Sequence, residues 1–167
     1  MAEASKLYRN EVLIKHHTKM ALSLNKNDSE ILANAGWTYG ELGEWEKARM
    51  MTQRAISLNP GHPRWYEGVL FAYHFHKGEY ENALLYALRF YQEEDLFSQI
   101  AVAVSYAGLH RTAEAAKSAK TIETNFPDFL EKPRKFLRPL GFRNAFIEKI
   151  LIGAEAAGIN FTEKKSP

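Results

Sequence analysis

Histidines and carboxylates are the side chains whose chemistry would be catalytic or metal-binding here, since the chain has six histidines, twenty acidic residues and no cysteine. The tightest histidine pairs are His74 with His76 and His16 with His17. At 3.6 residues per turn, positions two apart on a helix diverge by about 200° around the axis, so His74 and His76 do not converge on one ion. His16 and His17 fail in the same way, and a metal site needs three or four convergent ligands. The chain carries no Gly-rich phosphate loop, no H-E-x-x-H, no G-x-S-x-G and no aspartate cluster with calcium-loop spacing. Without cysteine there is no thiolate nucleophile, no cysteine zinc site and no disulfide. Neither catalytic residues, nor a metal, nor a cofactor are expected, and the four histidines are assigned to packing or surface roles.

Charge points to no nucleic-acid partner. The formal net charge is +2, and the one local excess is Lys132, Arg134, Lys135, Arg138 and Arg143. A helical array that reads nucleic acid would be basic along its whole groove, so these five are read as solvated positions on short helices. Composition, at 46% hydrophobic and 25% charged, is that of a globular protein. Met1 to Lys6 lack the order of a signal peptide, and the apolar run Ile150 to Ala157 is broken by Glu155 and too short to span a membrane. A soluble, cytoplasmic chain with no membrane contact is expected.

The elements that position these residues are helical. Leu32, Ala35, Gly36 and Tyr39 recur at helical spacing, and Gly36 and Ala48 are small where two antiparallel helices must approach. Gly43 ends the first helix, the chain restarts at Trp45, and Pro60 closes the second. A lone hairpin of this kind cannot bury its apolar side, so neighbours of the same kind are required.

They are present. Lys19 to Lys26 parallels Gln53 to Pro60 at a spacing of 34 residues. Lys77-Gly78-Glu79-Tyr80-Glu81-Asn82-Ala83 repeats Leu42-Gly43-Glu44-Trp45-Glu46-Lys47-Ala48 after 35. A third copy runs from Leu96 to Pro127, with Ala103 and Ala115 as small contacts, Tyr106 as the aromatic, and His110 where the turn glycine belongs. Histidine there meets a steric cost at positive φ that glycine avoids.

This pattern resembles the tetratricopeptide repeat over roughly residues 7 to 127. The resemblance implies an all-α fold, a right-handed superhelical stack of antiparallel hairpins forming one domain over 1–167. Residues 5–25 would be the second helix of a truncated repeat, 29–62, 63–94 and 95–127 three repeats, and 128–160 C-terminal capping helices. A narrower likeness, carried by Leu58 to Tyr66, Lys77 to Leu84 and the tail after Asn125 to Phe129, is to the C-terminal repeat region of bacterial signalling proteins that carry a class III nucleotide cyclase or a DNA-binding domain. No cyclase residues are present.

Such a stack implies a non-catalytic scaffold that binds a protein or peptide on its concave face. Positions falling between the packing residues place Ala33, Asn34, Trp37 and Glu41 on that face from the first unit. Trp65, Ala72, Phe75 and His76 come from the second, and Phe97 and Val104 from the third. That surface is apolar and aromatic and suits an amphipathic helix or an extended apolar peptide. Ala33 and Trp37 stand where tetratricopeptide chaperone clamps carry lysine and asparagine, so that activity is disfavoured.

Two alternatives concern the same residues. The groove can be open, or the terminal helix can fill it: Phe142, Phe146, Ile147, Ile150, Leu151 and Ala154 form an apolar stripe. That stripe is expected to cap the last repeat. Whether Trp65 or Tyr66 packs inward is likewise left open. At the other end, Leu7, Tyr8, Val12, Leu13 and Ile14 lack a hairpin partner. Either a homodimer forms through this helix, or the chain is the regulatory or oligomerisation segment of a larger signalling enzyme.

Overall fold

Asp28 and Asp95 set two of the helix starts. The Asp28 carboxylate accepts from the backbone N–H groups of Glu30 and Ile31 at 2.9 and 3.0 Å, and Asp95 does the same for Phe97 and Ser98 at 3.3 and 3.0 Å. Each satisfies donors that a helix N-terminus leaves orphaned. In the computed structural model, which describes residues 2–162 and the side chains from residue 10 onward, the described chain is all-helical. The helices are α1 (Ala2–Leu24), α2 (Ser29–Glu41), α3 (Trp45–Leu58), α4 (Trp65–Lys77), α5 (Tyr80–Phe90), α6 (Leu96–Gly108), α7 (Thr112–Asn125), α8 (Pro127–Glu131), α9 (Pro133–Leu137) and α10 (Asn144–Ala156), with a 3-10 turn over Arg138–Leu140. Leu7 and Tyr8 lie outside the residues whose side chains are described.

The closest helix pairs are α2 with α3, α4 with α5 and α6 with α7, which makes three hairpins. The first helices of these hairpins also touch in order, α2 against α4 and α4 against α6. All three hairpin turns use one geometry. Gly43, Gly78 and His110 sit at φ 72°, 77° and 56°. In each, the following residue donates its N–H back across the turn: Glu44 to the Tyr39 carbonyl, Glu79 to His74 and Arg111 to Tyr106, at 2.8, 2.9 and 3.0 Å. This is the Schellman closure, which satisfies the last helical carbonyls. His110 therefore adopts the left-handed backbone that its two counterparts reach as glycine.

Small residues set the distance within each hairpin. A Cβ on Gly36 would lie 2.2 Å from the Thr52 hydroxyl, so only glycine allows α2 and α3 to approach this closely. Ala48, Ala83 and Ala115, each five residues after its turn residue, are buried. Ala33 is fully buried as well, a correction to its expected place on the outer face, because α2 is covered on that side by α1 and by Ala55 and Tyr66. Tyr66 is the inward residue of its pair and Trp65 is half-buried.

After α7 the chain breaks twice at proline. Pro127 and Pro133 each open a one-turn helix, where the missing N–H costs nothing, so the stretch Leu130 to Leu137 is split rather than continuous. Gly141 at φ 82° then turns the chain into α10. Beyond α10 the tail returns to α8, with Thr162 donating its N–H to the Leu130 carbonyl at 2.9 Å and the Phe161 ring 5.4 Å from Phe129.

Candidate functional site

The groove formed by α2, α4 and α6 is filled by the chain's own terminal segment. Phe142, buried, lies 5.3 Å from Trp37, 6.0 Å from Trp45 and 6.3 Å from Phe97 between ring centroids. Phe146, one helical turn on, lies 4.9 Å from Trp45 and 6.2 Å from Phe75. Further along, Gly153 brings α10 against Val104, where an added Cβ would meet the valine at 3.1 Å. The helix thus does more than cap the last hairpin: it packs along α6, and its leading aromatics reach the first hairpin.

Polar contacts fix this segment at several points. Arg134 forms a two-pronged pair with Glu148 at 2.9 and 2.8 Å, a geometry that holds both groups in one orientation. Lys149 donates to the His76 carbonyl at 2.8 Å, and burial pushes its ammonium below the usual lysine range. Arg143 donates to Glu11 at 2.8 Å and ties the start of α10 to α1. Of the basic cluster, these two arginines are thus engaged within the chain, while Lys132, Lys135 and Arg138 are exposed. Gly141 closes over α2, where any Cβ would meet the Glu41 carboxylate at 2.2 Å.

The magnitude of burial decides whether this segment is a removable occupant. Phe142, Phe146, Ile147, Ile150 and Leu151 are all buried, and each contributes about 1.5–3 kcal/mol by area, so their sum is on the order of 10 kcal/mol as an upper bound. These five side chains belong to one continuous buried cluster with residues of α4, α5, α6 and α7, so the segment is part of the core.

The expected site residues therefore divide into two sets. Ala72, Phe75, Phe97 and Val104 are buried within the chain. Asn34 and His76 are exposed, and Trp37, Glu41 and Trp65 are half-buried. The structure brings Trp37, Trp65 and Phe97 together at the end of the groove that α10 leaves open. They line a pocket of about 280 Å³ with Gly68, Phe90, Gln92, Asp95 and Leu140. Trp65 and Phe97 stand at 74° and 75° to Trp37, with centroids 6.4 and 6.3 Å away. Trp37 donates its indole N–H to Glu41 at 3.1 Å; burial raises the Glu41 carboxyl above its ordinary range, and this hydrogen bond opposes the shift.

Asn34 lies apart, facing a depression of about 380 Å³ between α1 and α2 with Thr18, Asp28 and Thr38. His76 stacks on Trp45, whereas His74 pairs with Glu79 at 2.6 Å and stacks on Tyr86, so the two imidazoles point to different neighbours. Among the described residues no group of three metal-ligating side chains converges, and no helix is long and apolar enough to cross a membrane. Sequence reasoning passed over Asp95, Phe90 and Leu140 as pocket residues. Asp95 was findable as a helix cap, but nothing in the spacing places Leu140 against α4.

All three tryptophans of the chain, Trp37, Trp45 and Trp65, touch this groove. No family model matches the chain, and a search of the curated proteins finds no match either.

Proposed function

We propose that this chain is a non-catalytic protein interaction module of tetratricopeptide type that binds a protein or peptide partner at the open end of its aromatic groove. The observation that carries the reading is the pocket between Trp37, Trp65 and Phe97, an aromatic surface left uncovered beside one that the chain fills with Phe142. Aromatic pockets with a polar rim are where a partner's anchor side chain gains most on burial. The three identical hairpin turns and the in-order packing of α2, α4 and α6 support the tetratricopeptide assignment. The test is to pan a peptide display library against the full chain. Selected peptides should change tryptophan emission and lose binding to a Trp65→Ala variant that keeps its helical circular dichroism. Peptides indifferent to Trp65 would sink the reading.

One observation favours a second reading, in which the chain is the regulatory or oligomerisation segment of a larger signalling protein or pairs with a second copy. Val12, Leu13, Met20 and Leu24 on α1 are 49%, 50%, 49% and 84% exposed, an apolar strip with nothing over it among the described residues. Light scattering distinguishes these. A concentration-dependent dimer that Leu13→Glu abolishes supports pairing of copies, and a monomer at all concentrations removes it.

A further inference from the structure

We propose that the depression between α1 and α2 is the seat of a short amphipathic helix from another polypeptide, with glycine or alanine where it crosses Thr18 and lysine or arginine beside its apolar face. The seat shares no lining residue with the Trp65 pocket, so it is a second surface, apart from the groove end.

The chain's own repeats define what fits there. At the 34-residue spacing, Thr18 and Ala21 on α1 correspond to Thr52 and Ala55 on α3. Those two residues receive α2: Gly36 crosses at Thr52, and Ala55 is buried in one cluster with Leu32 and Ala33. At the 35-residue spacing, Ile31, Asn34 and Thr38 on α2 correspond to Tyr66, Val69 and Tyr73 on α4. These three face the preceding hairpin. Tyr66 clusters with Ala33 and Ala55, Val69 with Ala35 and Ala48, and the Tyr73 hydroxyl donates to Glu46 at 2.9 Å. Thr18, Ala21, Ile31, Asn34 and Thr38 line a single depression of about 380 Å³. Both kinds of contact that hold α2 in the stack therefore recur around it. A helix of α2's length, 13 residues or about 20 Å, matches them.

Polarity and charge select the occupant. Asn34 and Thr38 stand where α4 carries Val69 and Tyr73, and Asn34 is exposed. A permanently filled seat is built of apolar residues, whereas polar walls belong to interfaces that form and dissolve. A separate, exchangeable helix fits such walls better than a fixed part of the same core. Among the described residues that line the seat, the charged ones are Asp28 and Glu30. Lys15, one turn before Thr18, is held by Glu44 at 2.7 Å. The seat is acidic at one end and is complementary to a basic partner.

The experiment titrates the full chain with a fluorescently labelled peptide of segment 27–44. This peptide contains α2 with its Asp28 cap and Gly43 closure, because a short helix is marginal alone. A second peptide carries Glu30→Lys and Glu41→Lys. By fluorescence anisotropy both should bind, the lysine form about threefold tighter, with the difference closing at high salt. Gly36→Leu in the peptide and Thr18→Trp in the chain should each weaken binding by about tenfold or more. Thr18 and Asn34 lie outside the buried core, so Thr18→Trp and Asn34→Arg should keep the circular dichroism of the chain. Asn34→Arg should also abolish the preference for the lysine form. The Gly36→Leu comparison uses the unaltered chain and stands even where a variant weakens the fold. Binding of neither peptide overturns the proposal, as does binding indifferent to Gly36→Leu and Thr18→Trp. Absence of a preference for the lysine form overturns the basic character of the partner. A dimer in light scattering that Thr18→Trp dissolves makes a second copy the occupant and overturns the separate helix.

Discussion

The imidazole of His76 lies nearly parallel to the indole of Trp45, with ring centroids 4.6 Å apart and planes 19° apart. Although His76 is exposed as a whole, partial desolvation of its ring, then Lys149, then Lys77 disfavour its charged form and lower its pKa below the ordinary histidine value of 6.5. The sign follows from linkage. The unfolded chain takes up a proton at His76 near that ordinary value while the folded chain resists it, so the unfolded state binds more protons in this window. Stability contributed by neutral His76 is present above about pH 6.5 and is lost as pH falls below it. The melting temperature should drop from pH 7.5 to 5.5, and His76→Phe, which keeps the stack but cannot titrate, should flatten part of that drop. An identical slope in the variant would remove His76 as a source.

His110 predicts a stabilising change. It holds φ 56° in the turn between α6 and α7, where Gly43 and Gly78 hold 72° and 77°. A side chain in the left-handed region costs about 1–2 kcal/mol, and glycine, which relieves that strain, gives part of the gain back because its unfolded chain is freer. His110→Gly should therefore stabilise by about 0.5–1 kcal/mol, roughly 1–4 °C in a domain of this size. Gly78→Ala is the mirror test. Nothing lies within 4 Å of the added Cβ, so a loss of about 1–2 kcal/mol there would measure the backbone term alone.

Hairpin architecture was legible because turn and contact residues are local. Counting from Gly43, Gly78 and His110 places Ala48, Ala83 and Ala115 at one shared buried position. Even the doubtful turn at His110 was in register, its cost met by the hydrogen bonds that flank it. The apolar stripe of α10 was equally visible, but periodicity tells which face of a helix is apolar and not which surface covers it. That Phe142 would lie against Trp37 and Trp45 depends on the path of the chain through Pro127, Pro133 and Gly141. No local pattern encodes such a path. The pocket at Trp65 was hidden for the same reason, since Leu140, far along the chain, is one of the residues that line it.

The aromatic pair at the start of α10 should carry a large share of the stability. Phe142 and Phe146 are 6% and 5% exposed, and their centroids are 4.8 Å apart. Truncating a buried phenylalanine costs about 3–5 kcal/mol, transfer and cavity together. Phe142→Ala and Phe146→Ala should each lower the denaturation midpoint accordingly and shift tryptophan emission to the red as Trp37 and Trp45 gain water. Because the rings touch, the double variant should cost less than the sum of the two. A full-strength groove with unchanged emission in either variant would contradict the placement of the segment.

Gly36 and Thr52 offer a test of how closely the first hairpin is fitted. The Thr52 hydroxyl is buried without a hydrogen-bond partner, and it stands 2.2 Å from where a Cβ on Gly36 would be. Gly36→Ala alone should destabilise by about 1–3 kcal/mol through overpacking, in spite of alanine's better helix propensity. Thr52→Ala alone should be neutral to stabilising, by up to about 2 kcal/mol. It loses about 0.8 kcal/mol of buried methyl but removes an unsatisfied hydroxyl that costs about 1–3 kcal/mol. In the double variant the clash with the hydroxyl is gone, and only the 3.1 Å approach to the Ala48 carbonyl remains. Urea denaturation of the four proteins should therefore give a favourable coupling of about 1 kcal/mol or more between the two sites. Strict additivity would mean that α2 and α3 separate to accommodate the methyl, and that the hydroxyl does not set their spacing.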